Sequence, residues 1–333
     1  IDPIDPGDPI QTSYGNAGLL AVSSIIPVNS PDLRYNIPKY IFKKSSPLLF
    51  KWNYFPKLLP WLIPFLKNST NDKFMKIVNF LQELTHDSVE QHFSLARGTK
   101  AERFIKTGEL AFLFQNRAEF LNNINEMKLR EKYGFSFQEI SRLKLLEKDP
   151  KLSSNYNFAA VFANQGWLSS PSKYIQELSQ FFRLNGGKII QDEVIEIKKN
   201  LVSTKKGNKI ITDKIVVCAG IWSKKLLKNI NHYVNIESER GYHLFLKGVN
   251  YMPAFPYIVN DLKFAITPMD DGLRFAGTVE FGGLDAPASQ ERIEYLKKGI
   301  KKIYPDLEWD NEEFWMGHRP TLTDSLPVVG ESK

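Results

Sequence analysis

One run constrains the fold of this chain more than any other. It is Lys214-Ile215-Val216-Val217-Cys218-Ala219-Gly220, followed by Ile221-Trp222-Ser223. Four β-prone residues in succession, with no polar alternation, read as a strand buried on both faces of a parallel sheet. Gly220 closes the strand and 223–227 opens a helix, giving the strand–glycine–helix unit of an α/β domain. Ligands of open α/β sheets bind at that carboxyl edge, where small residues admit a cofactor to the backbone. Tight strand–helix packing explains the same residues equally well.

The surrounding sequence is mixed. Short strand-like runs at 188–191, 193–197, 201–204 and 209–212 precede this unit, with a turn at Lys206-Gly207-Asn208. Others follow at 242–246, 257–259, 264–267 and 273–281. Spacings of three and four predict helices over 71–95, 118–132, 173–184 and 289–303, the third opened by Ser169-Ser170-Pro171-Ser172 and closed by Asn185-Gly186-Gly187. This order predicts a nucleotide-type α/β domain interrupted by an α+β domain, and 333 residues suit two domains.

Composition removes several classes of function. A single cysteine, Cys218, excludes a disulfide framework and a cysteine-rich metal site. The histidines at 86, 92, 232, 243 and 318 lack metal-ligand spacing, so no metal is expected. The charge balance, 44 − 37 = +7, is mild and spread along the chain, permitting an anionic partner without demanding one. No apolar stretch is long enough to span a membrane. Residues 48–66 come nearest, but Pro56, Pro60 and Pro64 should break them into short pieces. A core-and-loop segment is the plainer reading, and a membrane-surface contact through Trp, Lys and Leu is the alternative. The first residues lack the basic-then-apolar order of a signal peptide, and both ends read as cuts within a longer chain.

No self-contained catalytic motif is present: no G-x-G-x-x-G, P-loop, H-E-x-x-H or G-x-S-x-G. Longer strings remain. Thr12-Ser13-Tyr14-Gly15-Asn16-Ala17-Gly18 packs amides that can contact a phosphate, or forms an ordinary turn. In 272–281 the alternation puts Arg274, Ala276, Thr278 and Glu280 on one face, so Arg274 can reach a ligand carboxylate or pair with Glu280. Residues 315–330 set Arg319 among Pro320, Pro327, Gly317 and Gly330, a rigid backbone suited to an anion clamp.

Taken together and in order, these strings resemble the D-amino-acid oxidase-like (DAO) family of FAD-dependent amine oxidoreductases, nearest its D-amino-acid dehydrogenase branch. The matching pieces are 13–18, 218–223, Glu239-Arg240-Gly241-Tyr242-His243, 267–281 and 315–330. Two expected parts are missing: the opening strand with its G-x-G-x-x-G loop, and the glycine-rich segment after Gly330. The resemblance implies an incomplete Rossmann-like FAD-binding domain over 1–98, 151–232 and 316–333. It implies an α+β substrate domain of antiparallel sheet and helices over 99–150 and 233–315.

It also implies FAD as cofactor, with Asp2 at the adenosine ribose and Val194 offering backbone to the adenine. Ser13, Asn16, Ala17 and Gly18 would lie near the phosphates and flavin, Ala219, Gly220 and Trp222 along the cofactor edge, and Gly330 near the flavin. Arg274 and Arg319 would form one carboxylate clamp, Tyr242 would close over the substrate, and His243 would lie nearby. The implied reaction is oxidative deamination of a D-amino acid, with electrons passed to a respiratory-chain or quinone acceptor. The implied place is the bacterial cytoplasm, with peripheral contact at the inner face of the plasma membrane as an open reading. Alternatives are a glycine, sarcosine or proline oxidase of the same family, an inactive truncated chain, or a basic surface-binding protein using the lysines of 39–67 and 297–302. Nucleic acid is not an expected partner.

Overall fold

The computed structural model describes residues 1–20, 22–31, 33 and 48–331, so part of the lysine-rich stretch, 39–47, lies outside the described residues. Its strands are β1 (Leu19–Leu20), β2 (Leu48–Phe50), β3 (Ile105–Phe114), β4 (Phe137–Ser141), β5 (Phe158–Leu168), β6 (Val194–Lys198), β7 (Leu201–Thr204), β8 (Lys209–Ile211), β9 (Ile236–Lys247), β10 (Tyr257–Val259), β11 (Phe264–Met269), β12 (Gly272–Phe281) and β13 (Asn311–Leu322). Its helices are α1 (Phe55–Lys67), α2 (Asn71–Thr85), α3 (Ser88–Ala96), α4 (Arg117–Asn122), α5 (Ile124–Lys132), α6 (Arg142–Lys148), α7 (Pro171–Leu184), α8 (Ser223–Lys228) and α9 (Gln290–Ile303).

Ten strands form one mixed, largely antiparallel sheet in the order β1-β5-β3-β10-β11-β12-β9-β13, with β2 beside β12 and β4 beside β5. Strands β6, β7 and β8 make a separate antiparallel sheet. The long strand β9 is central: it pairs with β12 on one side and with β13 on the other over its whole length. Its side chains alternate, and paired residues share a face. The even positions, including Tyr242, Leu244 and Leu246, face α9, whose Ile293, Leu296, Ile300 and Ile303 complete the main core. The odd positions, Glu239, Gly241, His243 and Phe245, face the candidate site.

Two helices predicted as continuous are interrupted. Residues 71–95 form α2 and α3 with a break at His86 and Asp87, and 117–132 form α4 and α5 with a break at Asn123. Asn123 turns its amide back onto the Glu119 carbonyl, the local bond that makes Asn a poor helix-interior residue. Helix α7 begins as expected, with the Ser170 hydroxyl accepting from the Lys173 amide.

Three expectations are overturned. Residues 214–218 do not form a strand: Val216 is 84% exposed and Cys218 is exposed. A run without alternation needs a sheet to join and a layer packed on each of its faces, and no described strand pairs with this one. Residues 188–191 likewise form no strand, and only Gln191 makes an isolated parallel bridge, to Asp2. Finally, Pro56, Pro60 and Pro64 do not break α1, which runs through them. Pro56 sits in the first turn, where no intrahelical N–H is needed. Pro64 frees the Pro60 carbonyl, and the Asn235 side-chain amide donates to it at 3.1 Å. The apolar face, Leu58, Trp61, Leu62 and Phe65, is buried and outweighs the lost helix bonds.

Candidate active site on the main sheet

The odd face of β9 carries the charged residues that the sequence singled out. Arg319 pairs in register with Glu239, and Arg274 with Phe245. Both arginines therefore lie on one face, but six residues apart along β9, about 20 Å at ~3.4 Å per residue. The expected joint clamp is not formed, because the register separates its two members.

The Phe245 end is covered by residues 9–18. Arg274 is 4% exposed, and its Nη1 donates to the carbonyls of Tyr14 (2.8 Å) and Asn16 (2.9 Å). Its guanidinium stands 5.4 Å from both the Tyr14 and the Phe245 rings. Burial lowers its pKa to about 10, so it stays charged at neutral pH. Beside it the His243 and Trp315 rings stack at 5.3 Å. His243 Nδ1 lies 3.0 Å from the Gly15 carbonyl, which only accepts, so Nδ1 carries the proton. Burial, followed by the charge of Arg274, drives the His243 pKa down to about 3 and keeps the ring neutral. Trp315 Nε1 donates to the Pro9 carbonyl at 2.7 Å. Sequence reasoning passed over Trp315 as a contact, although Gly15 is the signal for it: a β-carbon there would run into the indole.

The opposite end is covered by α1. Tyr54 donates to Glu237 Oε1 at 2.9 Å, and Trp61 Nε1 donates to the Thr321 carbonyl at 2.9 Å. Between α1 and the loop lie Gly241 and Thr278. The Arg319 guanidinium rests on this bare stretch. A β-carbon at Gly241 would come within 2.5 Å of Nη2, 2.6 Å of Cζ and 2.8 Å of Nε. Nη1 donates to the Thr278 carbonyl at 3.2 Å. Among the described residues no carboxylate lies within ion-pair distance of Arg319. Although the residue reaches solvent, the protein packed around it lowers its pKa, with the Glu239 charge opposing. Glu239 is buried, and burial raises its pKa against the charge of Arg319 and a hydrogen bond from Thr321.

A bulge between Gly277 and Glu280 switches the faces of β12, and Thr278 takes a left-handed φ of 60° there. Arg274 and Ala276 thus face the site, whereas Glu280 pairs in register with Arg240 on the opposite face. The expected sharing of a face by Arg274 and Glu280 fails, and so does the alternative that they pair. Glu280 instead bridges Arg240 Nη1 at 2.6 Å, with both side chains fully buried. Tyr242 belongs to the same cluster: its hydroxyl donates to Glu280 Oε1 at 3.2 Å and accepts from the Ser289 amide at 3.0 Å. Tyr242 does not close over a substrate at Arg319, because strand alternation turns it under α9.

Over residues 4–333 the chain matches the family model described as DAO, FAD dependent oxidoreductase. It belongs to the DAO family. It is 31% identical over 342 residues to a D-amino-acid oxidase of Bradyrhizobium diazoefficiens, covering 100% of this chain and 81% of that protein. It is 25% identical over 347 residues to a D-amino acid dehydrogenase of Vibrio atlanticus, covering 97% and 80%. A glycine oxidase structure from Geobacillus kaustophilus superposes with a TM-score of 0.66 at 17% identity, covering 96% of this chain and 76% of that one. The protein is an oxidoreductase of an FAD-dependent family, and the mixed α/β fold agrees with that structure.

Two glycines assigned to the cofactor fit such a group in their openness. Gly220 and Gly330 have no atom within 4 Å of an added β-carbon, and Gly220 takes a φ of 54°. Apolar side chains beside them stand in solvent: Trp222 is 51% and Val329 89% exposed. Trp222 meets the His318 ring edge-on at 5.9 Å, on the face opposite Arg319. Asp2 bonds across the chain to Ile190 and Asp192, next to the small sheet that carries Val194. Its carboxylate accepts from the Ile4 amide. Ser13 and Asn16 are exposed. The Ala17 carbonyl accepts from Thr267 Oγ1, and the Gly18 carbonyl from the Leu168 amide, so these two anchor the loop to β11 and β5.

Proposed function

We propose that this protein oxidises the α-carbon of a D-amino acid, yielding a 2-oxo acid and ammonia, with a quinone or respiratory-chain component as the final electron acceptor. The observation that carries the reading is Arg319. It is a guanidinium on bare glycine backbone, with one hydrogen bond and no carboxylate partner within ion-pair distance among the described residues. Its Nε–Nη2 edge is the geometry that takes a carboxylate by two parallel bonds. The names of the relatives support an amino-acid substrate, and the D configuration follows theirs.

Bound FAD would supply the two-electron oxidant that takes a hydride from the α-carbon, and Asp2, Val194, 13–18, 219–222 and Gly330 are the residues proposed to hold it. The chain's own task is orientation. Arg319 fixes the acid end of the substrate, which sets the α-carbon relative to the two walls made by α1 and the 9–18 loop. His243 acts as a positioning residue: neutral and buried, it holds Gly15 and Trp315 in place. Within this proposal the FAD-binding part draws on 1–98, 151–232 and 316–333 and the substrate part on 99–150 and 233–315, joined through the main sheet.

The surface of α1 favours a peripheral membrane contact. Trp52 and Ile63 are 58% and 50% exposed, lysines 57 and 67 lie on the same segment, and no acidic residue occurs from 48 to 71. Among the described residues no helix is long and apolar enough to cross a membrane. A basic binding face on α9 is disfavoured, because Lys297 pairs with Glu312 and Lys302 with Asp261.

Anaerobic mixing of the FAD-loaded protein with paired D- and L-amino acids tests the reading. The D form should bleach the flavin absorbance and the L form should not. Arg319→Lys keeps the charge but loses the fork, and should lower kcat/KM about a hundredfold, equivalent to ~3 kcal/mol. Bleaching by L-amino acids alone, or wild-type turnover in the variant, refutes the proposal.

A further inference from the structure

A second station on the same face is independent of Arg319. A cavity of ≈ 240 Å³ opens between the first turn of α7 and the Phe245 end of the main sheet, lined by Tyr14, Phe245, Met269 and Arg274, with Ser170 and Lys173 at its rim. That volume is below the range of drug-sized pockets and suits a small molecule. Arg274 forms part of its wall. Nη1 is committed to two backbone carbonyls. The buried Nε has no hydrogen-bond partner, and Nη2 makes none with the described residues. The protein thus uses one nitrogen of the guanidinium, seals Nε away from solvent, and leaves Nη2 for a ligand.

The other charges around the cavity are balanced. Lys173 pairs with Asp271 at 2.9 Å, and Lys247 with Glu313 at 2.5 Å. Arg274 has no carboxylate within ion-pair distance among the described residues. At the rim, α7 presents the start of a fourteen-residue helix, whose positive dipole end favours an anion, although its Lys173 amide is already capped by Ser170 and Pro171 has none to give. Tyr14, Phe245 and Met269 add an apolar wall. A guanidinium nitrogen, a helix start and an apolar wall together select a carboxylate on a short hydrocarbon body.

We propose that this cavity is a carboxylate-binding subsite, distinct from the Arg319 station and gripped by Nη2 of Arg274. The Arg319 guanidinium lies over Gly241 and the cavity at Phe245, about 14 Å further along β9 at ~3.4 Å per residue. The His243–Trp315 stack stands between them. A single small amino acid does not bridge the two. The bound carboxylate is therefore either the far end of a long acidic substrate or a free carboxylate acting on its own.

The test is calorimetric titration of the full-length, FAD-loaded protein with sodium propionate, against chloride at equal ionic strength. It is done in the Arg319→Lys background, so that the other station does not contribute. Propionate should bind saturably in that background. Adding Arg274→Lys should weaken it at least about tenfold, the worth of ~1.4 kcal/mol. Lys173→Glu serves as the second variant. It lies on a half-exposed rim, suits a helix first turn, and should weaken propionate about threefold through repulsion. Absence of saturable binding in the Arg319→Lys protein overturns the proposal. So does unchanged affinity in both rim and wall variants. The source follows from kinetics on the protein with Arg319 intact: propionate that raises KM for acidic D-amino acids alone marks a substrate subsite, and propionate that lowers kcat marks a free effector. Loss of turnover in Arg319→Lys with propionate binding retained separates this proposal from the one above it.

Discussion

Gly241→Ala isolates the geometry of the proposed clamp from its chemistry. The added methyl would lie 2.5 to 2.8 Å from three atoms of the Arg319 guanidinium. Ordinary carbon contacts lie at about 3.5–4.0 Å, so the group has to move by roughly 1 Å. It is the far end of a flexible side chain, and among the described residues the hydrogen bond at risk is the one to the Thr278 carbonyl. The fold therefore gives little: alanine is the better strand residue by ~0.5–1 kcal/mol, which offsets much of a lost bond of about 1 kcal/mol. Activity is another matter, because a displacement of ~1 Å of a positioning group costs about a hundredfold in rate. We expect a melting temperature within a few degrees of wild type, unchanged FAD content, and kcat/KM for the preferred D-amino acid reduced about a hundredfold. If kcat/KM stays within threefold of wild type, the placement of the substrate carboxylate on this edge is wrong. If the protein unfolds, the assumed freedom of Arg319 is wrong.

Two further outcomes follow from buried charge. His243 has a folded pKa of about 3 against ~6.5 when unfolded, so the unfolded state binds the extra proton between those values. Stability is then complete above ~6.5 and falls as pH drops towards 3, by at most ~1.4 kcal/mol per pH unit from this group. Denaturation of His243→Gln across pH 4–7 should lose that share of the slope, and an unchanged slope contradicts the buried neutral ring. Glu280→Gln strips the Arg240 guanidinium of the buried anion it pairs with among the described residues. Urea unfolding should show a loss of ~3–5 kcal/mol with kcat/KM largely retained, since this cluster lies on the far face. A stability change below 1 kcal/mol would mean that Arg240 relies on the Ala286 and Pro287 carbonyls alone.

Much of the architecture is legible in the chain, and what is hidden has identifiable causes. Strand-prone runs at 242–246, 264–267 and 273–281 all lie within observed strands because short runs rich in aromatic and β-branched residues suit a buried sheet, and 290–303 is a helix because its one buried face shows in the periodicity. The run 214–218 misleads for the same reason: composition reports what a strand would bury, not whether partners are present. The prolines of α1 mislead because propensity sees lost helix bonds but not Asn235, 175 residues away, which takes the freed carbonyl. At the site, the residue types in 239–243, 274 and 319 were readable, and so was the face of Arg274. The distance between the two arginines was not, since it depends on how β12 and β13 each register with β9. The position of Tyr242 was in fact written in the parity of β9, two residues from Arg240 and one from Gly241, and was lost to the resemblance. The bulge that removes Glu280 from the site leaves one trace, Gly277 in mid-strand.

The 9–18 loop is stitched to five different strands: to β5 through Leu168, to β11 through Thr267, to β12 through Arg274, and to β9 and β13 through the His243–Trp315 stack. Four of those strands, β11, β12, β9 and β13, are consecutive in the sheet and β5 lies apart from them, so no single one can slide without dragging the others by way of this surface segment. The loop acts as a cross-tie, and the spacing of the strands beneath it is fixed from above as well as by their own hydrogen bonds.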